Sequence, residues 1–180
     1  MAEKRQEKLV NQLQSALAEV QTLSEIWQTV NRSLDLDQIL NDVLDRVIEL
    51  FKLHSGSIRL LDPQTQEMVL IAQRGLAAED FNKLPKRRKL GESLTSFSFS
   101  TNKVLVIEDV LTDPRIASRK GFAKEIGIRG VAVIPLFVKD KLLGNMAIRS
   151  VEPRAYSAEE LRLLVSIGHL IGSAIENARL

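Results

Sequence analysis

The stretch GIRGVAVIPLFVKDKLLGNMAIRS, residues 127–150, constrains the fold more than any other part of the chain. Its first half, residues 131–138, is rich in β-branched and aliphatic residues, which favours a buried strand. Three charged residues at 139–141 interrupt this run, and an alternating pattern follows over 142–149. The stretch therefore predicts an antiparallel hairpin whose second strand has one apolar and one partly polar face. Pro135 cannot donate a ladder hydrogen bond, so it predicts a bulge or an unpaired position there.

A second constraint is an unbroken heptad pattern near the N-terminus. A helix with so narrow an apolar stripe requires a partner helix. From Leu23 onward we expect the stripe to pack on its own domain. Over residues 9–20 we expect a parallel helix dimer, because the other surface of the helix is mostly polar. The seam, with alternating spacings of four and three, consists of Leu9, Leu13, Ala16, Val20, Leu23, Trp27, Val30 and Leu34.

The remaining chain alternates helical and strand patterns. Asp35 or Asp37 can cap a helix, and Ser157 with Glu160 forms a capping box before the last helix. The basic run at residues 86–89 is predicted to be a solvated loop, since no aromatic residues interleave it. We predict helices at 36–53, 77–84, near 122 and at 158–180, and strands at 57–61, 68–73 and 104–107.

Three segments, taken with the hairpin, resemble the GAF domain family. Residues 104–115, VLVIEDVLTDPR, resemble its strand and aspartate-containing loop, and RAYSAE and AIENARL resemble the ends of its last helix. The resemblance implies an α+β fold: an antiparallel sheet with N- and C-terminal helices on one face and short helices and loops on the other. We expect a coiled-coil signalling helix over residues 1–22 that continues into a GAF domain over residues 23–180.

Composition argues against several partners and several kinds of chemistry. The chain has 180 residues, a formal net charge of +2 and no cysteine. So small a net charge does not indicate nucleic acid or an acidic membrane as a partner. The lack of cysteine removes thiolate metal sites, cysteine nucleophiles and thioether-linked bilins, as well as the chemistry of GAF-fold sulfoxide reductases. We expect no cofactor, no metal, no membrane contact by this fragment and a cytoplasmic location.

The sequence lacks the catalytic and phosphate-binding motifs that would indicate an enzyme. The two histidines, His54 and His169, do not have the spacing of metal ligands. The two glycine patterns of phosphate-binding loops, the P-loop pattern and GxGxxG, do not occur. Cyclic-nucleotide-binding GAF domains carry an NKFDE-type signature, of which only Asn82 and Lys83 are present. We therefore expect a non-catalytic domain.

Strand parity indicates a candidate ligand face. Arg59 and Arg149 fall on the partly polar parity of two strands, which places them on one face of the sheet. In GAF domains the face opposite the terminal helices floors the ligand cavity. The resemblance thus implies a floor of Ser57, Arg59, Asn145, Ala147 and Arg149, and a lid of residues 109–115, including Asp109 and Arg115, with Phe97 and Phe99.

Two interpretations of these arginines remain open. Each could pair with Glu108, Asp109 or Glu67 across the sheet, which would leave no anion site. Alternatively, each could bind an incoming ligand, which we then expect to be small and at least partly anionic, because a buried guanidinium requires a partner.

The sequence as a whole predicts a sensor and dimerisation module of a bacterial multidomain signalling protein. The expected homodimer forms through the terminal helices, and a small molecule changes their packing. The output domain would be a histidine kinase, a diguanylate cyclase, a phosphatase or a transcription activator. The alternatives are a ligand-free structural dimerisation domain and a cyclic-nucleotide-binding GAF domain.

Overall fold

A computed structural model describes residues 2–33, 35–90 and 103–179. Within these residues the helices are α1 (Ala2–Val30), α2 (Leu36–Phe51), α3 (Ala78–Asn82), α4 (Lys120–Glu125) and α5 (Ala158–Arg179). The strands are β1 (Ser55–Leu61), β2 (Glu67–Arg74), β3 (Arg87–Lys89), β4 (Leu105–Ile107), β5 (Gly130–Val138) and β6 (Lys141–Ser150). A 3-10 helix at Pro114–Arg119 leads into α4. The strands form one antiparallel sheet in the order β3-β2-β1-β6-β5-β4, which confirms the predicted fold class.

The basic run is the clearest correction to the predicted elements. Residues 87–89 are not a solvated loop but the edge strand β3, paired with residues 67–69 of β2. The backbone satisfies its hydrogen bonds in the sheet while Arg87 and Lys89 remain exposed, and charged side chains are common on sheet edges. Charge alone therefore did not distinguish a loop from an edge strand.

The helices α1, α2 and α5 pack on one face of the sheet. Asp35 caps α2, because its carboxylate accepts hydrogen bonds from the backbone N–H groups of Asp37 and Gln38. Apolar residues of these helices bury the alternating residues of β1, β5 and β6 that point toward them. This core includes Ile39, Leu40, Val43, Leu44, Val47, Ile58, Ala132, Ile134, Met146, Ile148, Leu164, Ile167 and Ile171.

The contact of α1 with this core follows the predicted seam at Leu23 and Val30 but not at Trp27. Ile26 is fully buried, whereas Trp27 of the heptad pattern is 50% exposed. The helix uses Leu23 and Val30 of the heptad seam for its own domain, and Ile26 takes the place of Trp27 between them. The helix also ends at Val30 rather than at residue 34. Most of the heptad seam is therefore not used in packing within the chain.

The β5–β6 hairpin forms as predicted. Pro135 lies opposite Asn145, and the ladder is irregular between Leu136 and Phe137, next to the proline. Helix α5 crosses β5 very closely: a Cβ added at Gly172 would lie 2.2 Å from the backbone oxygen of Phe137. Glycine is required at this crossing because any side chain would force the helix away from the sheet.

The other face of the sheet carries a smaller apolar cluster at its β4–β5 end. It joins the two strands to the segment between β4 and β5, including the 3-10 helix and α4. Its buried members are Leu105, Ile107, Val110, Ile116, Ala123 and Val133. No helix in the described part of the chain combines the length and the apolar character needed to cross a membrane.

Candidate functional site

The register of three strands defines a polar area on the sheet face opposite the long helices. On β1 and β6, Ser57 pairs with Ala147 and Arg59 pairs with Asn145. Gln73 of β2 pairs with Ser57 on its other side. Because paired residues share a face, these side chains and that of Arg149 point away from the long helices. The five predicted floor residues therefore lie on one face, at the centre of the sheet.

Arg149 is the least satisfied cation of this area. Its Nη2 donates to Ser57 Oγ over 2.9 Å. Its Nη1 is buried and has no hydrogen-bond partner among the described residues. Burial and, to a smaller extent, the like charge of Arg88 together lower the pKa of Arg149 to about 10. The guanidinium is nevertheless charged at neutral pH, since even this pKa lies well above 7.

Arg59 differs from Arg149 in its partners. It is 6% exposed, and its guanidinium donates to the backbone oxygens of Pro85 and Lys86, over 2.6 Å and 3.3 Å. Those carbonyls belong to the segment that enters β3. Arg59 thus attaches the edge of the sheet to its centre, a structural role that parity alone did not indicate.

Two amide side chains add further unpaired donors to the same face. Asn145 is 1% exposed, and its Nδ2 has no partner in the part of the chain that the structure describes. The same holds for Nε2 of Gln73, within those residues. Buried polar atoms are paired in most proteins, so unpaired donors on one face are consistent with a site for an acceptor.

Two of the three carboxylates considered as partners for Arg59 and Arg149, those of Asp109 and Glu67, bind other arginines. Asp109 accepts from Nε and Nη2 of Arg129, over 2.9 Å and 2.5 Å. That pair lowers the pKa of Asp109 to about 2, and a hydrogen bond from the Leu111 backbone N–H contributes. Glu67 accepts from Arg87 over 3.0 Å.

The predicted lid is only partly described. Arg115 donates to Asp113 and to the backbone oxygen of Val106, over 2.8 Å for the latter, which places it at the β4 end of the face. Phe97 and Phe99 lie outside the described residues. The described residues contain no group of three or more acidic or histidine side chains arranged to hold a metal ion.

Two residues of this area were not identified from the sequence. Gln73 was missed because the β1–β2 register shifts between Ile58 and Arg59, which a single strand pattern does not reveal. Arg88 was missed because its segment was interpreted as a loop. Burial alternates along β3, so that only Arg88 is partly buried between the exposed Arg87 and Lys89. This alternation follows from the pairing of β3 with β2.

Comparisons with known proteins agree with this architecture. The chain is 28% identical over 171 residues to the sensor histidine kinase YhcY of Bacillus subtilis, covering 91% of this chain and 44% of that protein. It is 23% identical over 162 residues to the Nif-specific regulatory protein of Azospirillum lipoferum, covering 87% of this chain and 26% of that protein. The chain thus spans less than half the length of these curated relatives.

A solved structure and a family model agree on the domain. The GAF domain of a phosphoenolpyruvate-protein phosphotransferase from Coxiella burnetii superposes with a TM-score of 0.77 at 28% identity, covering 91% of this chain and 96% of that one. The family model of the GAF domain matches residues 33–176. With the six-stranded sheet and its helical layer, this match shows that the chain belongs to the GAF domain family.

Proposed function

We propose that this GAF domain is a non-catalytic regulatory module that binds a small anionic molecule on the polar sheet face. The floor of the site consists of Ser57, Arg59, Asn145, Ala147 and Arg149, and the segment that contains Asp109 and Arg115 borders it. The observation that carries the proposal is the Arg149 guanidinium, which among the described residues has one neutral partner and one buried nitrogen without a partner.

The physical reason is the cost of a buried charge. A guanidinium removed from water loses its hydration and needs a partner of opposite charge to recover that free energy. Among the described residues, the hydroxyl of Ser57 provides only a neutral acceptor. A carboxylate or phosphate could use the remaining nitrogen and neutralise the charge, in a geometry that lysine could not reproduce.

The test is a thermal-shift measurement with acetate, inorganic phosphate, small dicarboxylic acids and cyclic nucleotides. We compare wild type with Arg149→Ala and with Arg32→Ala, which removes the same charge from an exposed position. An anion of the site should raise the Tm of wild type and of Arg32→Ala but not of Arg149→Ala. Equal stabilisation of all three proteins would place the anion elsewhere and overturn the proposal.

The same measurement separates the other functions considered for this domain. Stabilisation by cyclic nucleotides alone, dependent on Arg149, would favour the cyclic-nucleotide alternative. If none of these anions depends on Arg149, a ligand-free structural role is favoured.

We further propose that the domain forms a parallel homodimer through α1, and this proposal does not depend on a ligand. Leu13 and Val20 of the heptad seam are 71% and 62% exposed, and Leu9, Val10 and Leu17 beside them are also exposed. A row of large apolar side chains along one helix is typical of a coiled-coil interface. The groove between α1 and α5, lined by Val20, Leu23, Ser24, Trp27, Ser166, His169, Leu170 and Ser173, continues the same surface.

Sedimentation of charged variants tests the dimer. Leu13→Glu with Val20→Glu should shift the protein to monomer, because two charges would be buried at each seam. Gln14→Glu with Gln21→Glu adds the same charge at exposed positions of the same helix and should leave the dimer intact. An unchanged dimer in the first variant would show that α1 is not the interface.

In the larger protein, we propose that α1 and α5 relay the state of the sheet to neighbouring domains. Helix α5 packs on β5 and on β6, the strand that carries Asn145 and Arg149, and α1 packs on α5. A ligand that changes the packing at this face could therefore alter the helix positions. The names of the two curated relatives, a sensor histidine kinase and a Nif-specific regulatory protein, support a histidine kinase or another regulatory protein as the parent of this domain.

A further inference from the structure

The sheet face opposite the long helices contains an apolar surface beside the proposed anion position. It divides into a positively charged half on β1, β2, β3 and β6 and an apolar half on β4 and β5. Arg149 lies at the boundary, because its cross-strand partner on β5 is Val131. The chemistry of this boundary restricts the class of ligand.

The charged half is positive beyond Arg149 itself. Arg59 and Arg149 lie on the face, and the charge of Arg88 is close enough to disfavour the charged form of Arg149. A second cation brought into this area would experience the same repulsion. An ammonium group on the ligand is therefore unfavourable here, whereas acceptor oxygens are favoured.

The apolar half provides a hydrophobic surface directly beside the guanidinium. Val131 and Ala147 pack against the cluster of Leu105, Ile107 and Val133 but remain only partly buried. Ala147 is level with Ser57, whose hydroxyl accepts from Arg149. A ligand whose anionic group reaches Arg149 thus places its next atoms over an alanine and a valine.

We propose that the ligand is a carboxylate with an apolar branched or aromatic body and no cationic group. This inference rests on the proposed anion-binding function and names the chemical class that the site selects. The carboxylate binds Arg149, with the amides of Asn145 and Gln73 as further donors, and the body covers Val131 and Ala147.

Four probe molecules test the anionic group, the apolar body and the exclusion of a cation separately. Each shares either its carbon skeleton or its carboxylate with the proposed ligand. They are 4-methylpentanoate, leucine, 4-methylpentanamide and acetate. Leucine adds an ammonium to the first probe, the amide removes its charge, and acetate removes its apolar body. Isothermal titration of the intact protein should give 4-methylpentanoate an affinity at least about tenfold higher than each of the others. Acetate loses the methylene contacts, which account for such a factor. Leucine is disfavoured by repulsion between its ammonium group and the arginines, and the amide lacks the charge that pairs with Arg149.

Two variants test whether 4-methylpentanoate contacts Arg149 and Val131. Arg149→Lys should weaken 4-methylpentanoate because lysine lacks the planar fork. Val131→Thr should weaken 4-methylpentanoate by several-fold and leave the weak binding of acetate unchanged, because it places a hydroxyl under the apolar body. Val151→Thr, the same change at an exposed position, is the matched control.

The outcomes distinguish this inference from the proposed function. Leucine binding as tightly as 4-methylpentanoate would overturn the exclusion of a cation. Acetate or phosphate binding that depends on Arg149, without binding of 4-methylpentanoate, would overturn the apolar body and retain the anion site. If no anion binds in a manner that depends on Arg149, both the inference and the proposed function fail.

Discussion

Arg149 donates a hydrogen bond to Ser57 across the β1–β6 pair, over 2.9 Å, and thereby joins residues 92 positions apart in the chain. The bond directs the guanidinium toward Ser57 of β1, whose cross-strand partner is Ala147. Its neighbour Arg59 lies on the same face but donates to backbone carbonyls. The two arginines are therefore expected to respond differently to substitution.

The first prediction concerns stability without ligand. Arg149→Met should change the free energy of unfolding by less than about 1 kcal/mol, because the lost hydrogen bond is offset by removal of a buried charge. Arg59→Met should lower it by about 2–3 kcal/mol, because the protein loses the two hydrogen bonds that the buried guanidinium donates to the backbone oxygens of Pro85 and Lys86. Urea unfolding of the purified variants measures both. If Arg149→Met were as destabilising as Arg59→Met, Arg149 would have a structural role and the anion site would lose its basis.

The second prediction concerns acid stability through Asp109. Its folded-state pKa of about 2 lies below the ordinary aspartate value of 3.8, because Arg129 and a backbone N–H stabilise the carboxylate. A lowered folded pKa contributes stability above the unfolded pKa, and that contribution is lost as the pH falls through the folded value. The difference between wild type and Asp109→Asn should be constant from pH 7 to pH 5 and shrink between about pH 4 and pH 2. Denaturant unfolding at each pH measures it, and a difference that does not depend on pH would contradict the assigned pair.

The third prediction concerns the contact of α5 with the sheet. Gly172→Ala should lower the free energy of unfolding by about 2–3 kcal/mol, because the new methyl group would overlap the backbone of Phe137. Gly121→Ala makes the same change in α4, where, apart from the adjacent residues and the backbone of the helix itself, no atom of the described residues lies within 4 Å of the added Cβ. That variant should be about 0.5–1 kcal/mol more stable, since alanine favours helix over glycine. Thermal unfolding compares the two, and a neutral Gly172→Ala would show that the helix does not cross β5 so closely.

The fourth prediction concerns the start of α5. Ser157 Oγ accepts from the backbone N–H of Glu160 over 3.1 Å, and the Glu160 carboxylate accepts from the backbone N–H of Ser157 over 2.8 Å. Ser157→Ala should cost about 1 kcal/mol, whereas Ser157→Asp should be nearly neutral because aspartate also caps a helix. Chemical denaturation measures both variants. Equal losses for alanine and aspartate would indicate that the hydroxyl has another role.

Local patterns determined most of the fold. The capping box at Ser157, the aspartate before α2 and the β5–β6 hairpin each depend on neighbouring residues, so the sequence predicts them. Strand parity also depends only on the alternation of side chains. For this reason Arg59, Asn145 and Arg149 could be assigned to one face of the sheet before the structure was known.

Contacts between distant segments required the tertiary structure. Charge along β3 favours a loop, and only the pairing with β2 makes it an edge strand. The heptad spacing of α1 predicts the exposed stripe, but the choice of Ile26 over Trp27 for the core depends on how the helix is rotated against α2 and α5.

The hydrogen-bond partners of Arg59 and Arg149 show the same difference between what local sequence determines and what tertiary structure determines. The sequence by itself placed Arg59 and Arg149 on one face, because side-chain direction in a strand alternates with every residue. Only the tertiary structure decided that the backbone oxygens of Pro85 and Lys86 bind Arg59, while one nitrogen of Arg149 has no partner among the described residues. The physical reason is that a hydrogen bond requires two atoms within about 3 Å, and that distance depends on the packing of segments far apart in the chain.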